Sequence, residues 1–280
     1  MSTIFHFFND IALKREHFIS LEKLKDFPFD ARLLHVDTAA ADTESGQFPD
    51  RILRIDPDGR GGELIEFKDS RSYSIASFNS TIPAGQKDLR DLFADQGTRR
   101  LQLLAAGEDT DRFYLRDVYY LIRGRKRTAG TVKVCLVHGS FFETIPIDQL
   151  IRGAFIQALT EALNQPPDDD LIAQLTLLFS KQQFFSRTRS VANASVKLRF
   201  RIMTEAKREG NVFDPQQYPD IHDNTLSFIV PYHEKARALH ALRDLIASNT
   251  SPPLTQLTLV HRLNGPFFAL QLPFIQPTPT

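Results

Sequence analysis

The chain has 280 residues, 34 Lys and Arg against 34 Asp and Glu, and 42% hydrophobic residues. That balance excludes a disordered polyelectrolyte, and the length suffices for one large domain or two smaller ones with a substantial core. A single cysteine, Cys135, inside the apolar run 132–137, excludes an intramolecular disulfide and a cysteine-based zinc site and points to a reducing compartment.

The N-terminal stretch lacks the basic segment and continuous apolar run of a signal peptide. No window reaches the roughly 18 apolar residues that a membrane span needs. A cytoplasmic protein without a membrane partner is therefore expected.

In chain order, Ile11, Phe18, Ile19, Leu21 and Leu24 among charged residues predict a helix over 4–26, with Asn9 or Asp10 as a cap. A short strand over 32–37 and an acidic loop over 38–48 follow. Residues 51–56 and 63–68 read as two strands joined by the turn-forming stretch 57–62, a β-hairpin. Helical spacing returns over 86–105, with Gly97 as a break point. Residues 113–122 and 131–137 form a strand pair around a basic turn at 123–127, and a helix covers 147–163.

The stretch 165–170, with two prolines and three aspartates, is the best linker and separates a region 1–165 from a region 166–280. Beyond it the pattern predicts a helix over 171–184 and strands near 195–203 and 225–231. A helix over 234–247, strands near 255–261 and 266–272 and a fraying C-terminus complete the chain. The expected class is α/β (α+β): a mixed central sheet flanked by helices, with a C-terminal α+β extension.

Folding the hairpin about Gly59 sets Asp50 opposite Lys68 and Ile52 opposite Glu66. Leu53, Ile55, Ile65 and Phe67 then share one face, and Asp50, Glu66 and Lys68 meet on the other at the open end. Two carboxylates this close need a cation or a raised pKa. Oxygen ligands without His or Cys favour a hard ion, Mg²⁺ before others, and a neighbouring lysine can orient a water and offset phosphate charge.

Pro49-Asp50, fifteen residues, then Glu66-Phe67-Lys68 resembles the PD-(D/E)xK signature of metal-dependent nucleases, most closely type II restriction endonucleases. The resemblance covers about the first half of the chain. It implies a restriction-endonuclease-like core, with Asp50 and Glu66 as Mg²⁺ ligands and Lys68 assisting the attacking water. It also implies accessory roles for Glu16 or Glu22 on the first helix and for Gln86 or Lys87. The implied activity is sequence-specific hydrolysis of double-stranded DNA by a homodimer that is paired with a protecting DNA methyltransferase. A repair or junction-resolving nuclease on the same core, and a non-catalytic DNA-binding or interaction module, are the alternatives. A second Glu-x-Lys, Glu205-Ala-Lys207, has no upstream Pro-Asp at hairpin distance, and Asp58 lies in the turn, at the wrong end for Glu66.

The neutral total hides a divided chain. Segment 181–208 carries eight cations against the one acid Glu205, and segment 30–50 five acids against the one cation Arg32. Over 196–202, Lys197, Arg199 and Arg201 alternate with apolar residues, a basic strand face that can follow phosphates. Arg187 and Arg189 in a polar stretch, and Arg123, Arg125, Lys126 and Arg127 in the basic turn, complete the expected DNA-binding set. Tyr119 and Tyr120 are assigned to the core, as are Phe184 and Phe185. His138-Gly-Ser lacks the strand-to-helix elbow of a serine hydrolase, and the aspartates 168–170 are read as helix caps.

Overall fold

The structure is a computed structural model that describes residues 3–35, 48–56, 59–75, 77–78, 82–93, 98–126, 130–143, 146–181, 204–248 and 254–274. The helices are α1 (Thr3–Leu13), α2 (His17–Ser20), α3 (Leu89–Leu92), α4 (Thr98–Ala105), α5 (Ile147–Leu163), α6 (Asp169–Lys181), α7 (Lys235–Ala241) and α8 (Arg243–Ser248). The strands are β1 (Arg51–Ile52), β2 (Leu64–Ser70), β3 (Ser77–Phe78), β4 (Gln86–Asp88), β5 (Leu115–Lys126), β6 (Thr131–His138), β7 (Thr204–Glu205), β8 (Thr225–Pro231), β9 (Thr255–His261) and β10 (Gly265–Pro273).

An eight-stranded mixed sheet runs β1-β2-β5-β6-β8-β10-β9, with β4 added beside β5. β1 and β2 are antiparallel, β2 and β5 are parallel across the crossover that holds α3 and α4, and β6 returns antiparallel to β5. β6 and β8 are parallel, so the strands of 225–273 extend the same sheet. The class is mixed α/β, a sheet flanked by helices, as the pattern predicts. Among the described residues no helix is long and apolar enough to cross a membrane.

The sheet is buried on both sides, which explains why β5, β6 and β8 read as nearly continuous apolar runs. One layer packs Phe5, Phe7, Phe8, Ile11 and Phe18 of α1 and α2 on Leu53, Ile65, Leu121 and Phe228. The other packs Ile52, Leu64, Tyr120 and Ile122 on Phe48, Phe78, Leu89 and Phe213. Each buried Leu, Ile or Phe contributes about 1.5–3 kcal/mol of transfer free energy. These layers therefore fix which face of β2 receives the N-terminal helices.

Several predicted elements are shorter or differently divided. The helix over 4–26 is two helices followed by a single turn at Leu24–Asp26, because the Arg15 guanidinium turns back to the carbonyls of Ala12 and Pro273. Asn9 and Asp10 lie inside α1, where Asp10 pairs with Lys14 at 2.6 Å and accepts from the Asp30 N–H at 3.0 Å. The strand over 32–37 is reduced to a bridge between Leu34 and Leu53, and residues 36 and 37 lie outside the described residues. Residues 86–88 are strand, not helix, with Asp88 capping the short α3. The helix over 234–247 is broken at Leu242. By contrast α5 has the predicted bounds, and Asp168 caps α6 by accepting from the N–H groups of Asp170 and Leu171. The predicted strand over 195–203 lies outside the described residues.

The hairpin itself is shifted. Its ladder pairs Arg51 with Ile65, Ile52 with Leu64 and Ile55 with Gly61, so Ile52 faces Leu64 and not Glu66. The turn closes between Asp56 and Arg60, where the Asp56 N–H donates to the Arg60 carbonyl at 2.7 Å. Gly59, Gly61 and Gly62 all have positive φ, and a side chain at Gly62 would run into the Arg116 guanidinium. A shift of two residues preserves the face of every side chain, so the grouping of Asp50, Glu66 and Lys68 survives the change of register.

Candidate active site

β2 positions the site. Alternation sends Ile65, Phe67 and Asp69 toward the layer of α1 and α2, and Leu64, Glu66 and Lys68 toward the other. Asp50 precedes β1 and is tied to β2 by its carboxylate, whose Oδ2 accepts from the Phe67 N–H at 2.7 Å. The Lys68 Nζ donates to Glu66 Oε1 at 2.9 Å. Asp50, Glu66 and Lys68 thus form one cluster, in which Glu66 is only 4% exposed.

Glu66 is the strained member of the cluster. Burial raises the Glu66 carboxyl from its ordinary range to about 7, and the charge of Asp50 adds to that rise against the opposing pull of Lys68. The two carboxyl groups are within hydrogen-bond reach, a contact that favours the protonated form of Glu66. Protonation of Glu66 relieves the same repulsion that a cation would offset. A hard divalent ion held by one or two carboxylates, with its other ligands from water and phosphate, matches that donor set. Among the described residues no group of three or more His, Cys, Asp and Glu side chains gathers as a protein-only metal cage.

A further amine joins the cluster. Lys87 on β4 is 4% exposed and donates to the Ile82 carbonyl at 2.9 Å, with its ammonium 5.4 Å from the centre of the Phe48 ring. Burial lowers its pKa to about 7, partly offset by Glu143 and Glu66. Glu143 in turn accepts from the Gly85 N–H at 2.9 Å. The buried Tyr120 hydroxyl lies in the field of Glu66 and Glu143, has no hydrogen-bond partner among the described residues, and has its pKa raised chiefly by burial. Glu143 and Tyr120 were not identified as site residues by sequence reasoning, since one follows a turn and the other reads as core.

The other accessory candidates diverge from the cluster. Gln86, the neighbour of Lys87, points the opposite way and donates to Asp117 Oδ1 at 2.8 Å. Glu16 lies 3.7 Å from the Arg15 guanidinium, and Glu22 offers its carbonyl to Arg123 and Arg125. Both belong to the segment packed on the Phe67 and Asp69 face of β2, away from Glu66.

The basic turn is mostly strand. Arg123 is fully buried, bound to Asp69 at 2.6 Å and to the carbonyls of Phe18, Leu21 and Glu22, so it fastens the N-terminal segment to the sheet and is not presented to a phosphate. Arg125 shares the Leu21 and Glu22 carbonyls. Lys126 is exposed, with its ammonium 4.4 Å from the centre of the Tyr73 ring. Arg127, Arg187, Arg189, Lys197, Arg199 and Arg201 lie outside the described residues, as do Phe184 and Phe185, while Tyr119 and Tyr120 are in the core.

A second polar cluster borders a cleft of about 1050 Å³ at the end of β6. His138 Nδ1 is 2.7 Å from Ser140 Oγ, and its Nε2 is 3.9 Å from Asp117 Oδ1. The Ser140 N–H also donates to His138 Nδ1, and the Gly85 N–H is taken by Glu143. Neither donor is directed at an acyl oxygen, so the arrangement acts as a lock on the turn at residues 139–141.

Comparison with protein-family models, with curated proteins and with solved structures finds no match to this chain.

Proposed function

We propose that this chain is a Mg²⁺-dependent endonuclease acting on double-stranded DNA, most like a type II restriction endonuclease. The observation that carries the reading is the convergence of Asp50, Glu66 and Lys68 on one face of the hairpin, where burial and the neighbouring Asp50 charge raise the Glu66 carboxyl to about 7 against the pull of Lys68. The strand order supports it. An antiparallel hairpin, a helical crossover to a parallel strand and an antiparallel return is the arrangement expected of a restriction-endonuclease-like core, with the motif at the open end of the hairpin.

Asp50 and Glu66 would hold the ion, which when bound supplies positive charge to the scissile phosphate and makes a nearby water more acidic. The Phe67 N–H keeps Asp50 in one orientation. Lys68, anchored on Glu66, presents an ammonium that orients the water nucleophile and balances charge as the phosphorus gains an oxygen. The burial of Glu66, 4% exposed, restricts water around it and strengthens these interactions. By the same resemblance the enzyme acts as a homodimer, with one site per strand, alongside a methyltransferase that protects the host's copies of the sequence.

The test is digestion of unmethylated plasmid and phage DNA with Mg²⁺ or with chelator. Discrete fragments that vanish with chelator and in Asp50→Ala and Lys68→Ala are expected. Nicking confined to branched or damaged DNA would assign a repair or junction-resolving role instead. Binding without cleavage over a broad panel would assign a non-catalytic module.

A further inference from the structure

A cavity of about 160 Å³ borders the candidate active site through Phe78, the ring that lies 5.7 Å from the Lys68 ammonium. β3 and β7 build one wall of it, where Phe78 and Thr204 pair across the ladder and so share a face. Phe142 packs on Phe78 with ring centres 5.0 Å apart, and Ile82 extends that apolar wall. Leu150 of α5 and Leu263, which follows β9, also line the space. Both are exposed, so they form its mouth.

Two lining residues, Thr204 and His261, each carry a polar atom that is shielded from solvent and has no hydrogen-bond partner among the described residues: the Thr204 Oγ1 and the His261 Nε2. His261 is 1% exposed and held in one orientation. Its Nδ1 accepts from the Leu263 and Asn264 N–H groups at 3.2 and 3.0 Å, and the Phe141 ring stands edge-on at 5.0 Å. An Nδ1 that accepts two backbone hydrogens carries none itself, so in the neutral ring Nε2 is the donor, and burial lowers the pKa in favour of that neutral ring. The Glu209 carbonyl beside it receives the Tyr218 hydroxyl at 2.6 Å instead. Buried polar groups are almost always paired, so a ring donor and a hydroxyl left over at one small cavity point to a ligand that pairs them.

We propose that this cavity is a binding site for a pyrimidine ring, whose carbonyl oxygen takes the His261 Nε2 hydrogen and whose edge meets the Thr204 hydroxyl. Size selects a single ring: a cavity of about 150 Å³ takes benzene, whereas the two fused rings of a purine exceed it. Apolar walls with a few placed polar groups suit a flat heterocycle and would leave the hydroxyls of a sugar unpaired. Charge points the same way. Among the lining residues Glu143, Glu205 and Glu209 stand against Lys207, which disfavours a carboxylate or a phosphate inside and favours a ring that carries N–H donors. The ring can come from a free base or from a nucleotide of a bound strand.

The inference stands on the cavity and does not use the nuclease reading, so either can fail alone. The test is fluorine NMR of 5-fluorouracil with the purified full chain in chelator, as the free base and within single- and double-stranded oligonucleotides. A broadened or shifted resonance that excess uracil reverses is expected in at least one of these forms. A response from the free base identifies a small-molecule site, and one from the oligonucleotides alone identifies a base of a bound strand. Thr204→Val, which keeps the shape of the side chain and removes its hydroxyl, is expected to weaken binding about 3–10-fold. Ala206→Leu, which fills the space from a lining residue, is expected to abolish it, with circular dichroism confirming the fold of both variants. No reversible response in any form would overturn the proposal. So would unchanged binding in either folded variant, or displacement by adenine or benzene as readily as by uracil.

Discussion

Glu66 and Glu108 are both buried glutamates, and the chain treats them in opposite ways. Glu108 sits between two partners from different segments, with the Arg116 Nη2 at 2.9 Å and the His35 Nε2 at 2.6 Å. Burial alone would raise its pKa, but these bonds outweigh it and hold the carboxyl below the ordinary value. Glu66 has one lysine and, beside it, another carboxylate, so burial and like charge together push it up to about 7. Where the chain supplies its own counter-charges, the group holds segments together. Where burial and a like charge outweigh the one lysine, the group keeps its proton up to about neutral pH. The contrast separates a buried carboxylate that its partners hold charged from one that burial and a like charge hold protonated.

The sharpest way to break that comparison is by activity. Asp50→Asn, Glu66→Gln and Lys68→Ala are each expected to lower Mg²⁺-dependent cleavage by roughly 10²–10⁴-fold while leaving the fold intact, read from initial rates on plasmid DNA. Glu108→Gln should do the reverse. It leaves Arg116 and His35 without their carboxylate and is expected to cost about 3–5 kcal/mol in urea unfolding. Cleavage per folded molecule should not change.

Smaller effects follow from protonation. With chelator present, the raised pKa of Glu66 means that the folded chain holds a proton that the unfolded chain releases above about 4.5. Stability contributed by this group is therefore lost as pH rises from there to about 7. Lys87 has the opposite sign: folded, it releases its proton near 7, while the unfolded chain keeps it to about 10.5, so stability rises over that window. Together these two groups place a local minimum of stability near pH 7. Glu66→Gln should remove the descending limb and raise stability at pH 8 by on the order of 3 kcal/mol. A monotonic rise of stability from pH 5 to 8 in the wild type, unchanged in Glu66→Gln, would contradict a raised pKa at Glu66.

Mg²⁺ at a hundred times its dissociation constant is expected to stabilise the wild type by about 2.7 kcal/mol and to release a proton near neutral pH, with neither effect in Asp50→Asn. The smallest effect concerns the basic strand end. Lys126→Ala is expected to lower the slope of log affinity for DNA against log salt by about 1, the signature of one phosphate contact. Arg123→Met is expected to act on stability and to leave that slope unchanged, because its guanidinium is enclosed by Asp69 and three carbonyls.

Much of the layout was legible in the chain. The period of two over 63–68 places Glu66 and Lys68 on one face whatever the register, and the Pro146 start and Asn164 stop of α5 are strong local signals. The hairpin register was not legible, because Gly59, Gly61 and Gly62 permit several turns, and the observed one packs these glycines closely against Phe113, Thr3 and Arg116 from other segments. The strand at Gln86–Asp88 was read as helix because its neighbours have helical spacing, and pairing with β5 overrides that spacing. Lys87 and Gln86 then point to opposite sides, a separation that no helical reading contains.

The sequence by itself determined the mixed α/β class, the sheet face shared by Asp50, Glu66 and Lys68, and the apolar periodicity of α5. Those features depend on local geometry, which repeats every two or every 3.6 residues regardless of what lies nearby. Only the tertiary structure decided which charges are balanced. Arg123 became a fastener, Glu108 acquired two partners, Lys87 was buried within the field of Glu66, and Glu66 was buried beside Asp50 with its pKa raised in spite of Lys68. The physical reason is that compensation is a property of segments brought together from distant positions, and a buried charge is stable or reactive according to what converges on it.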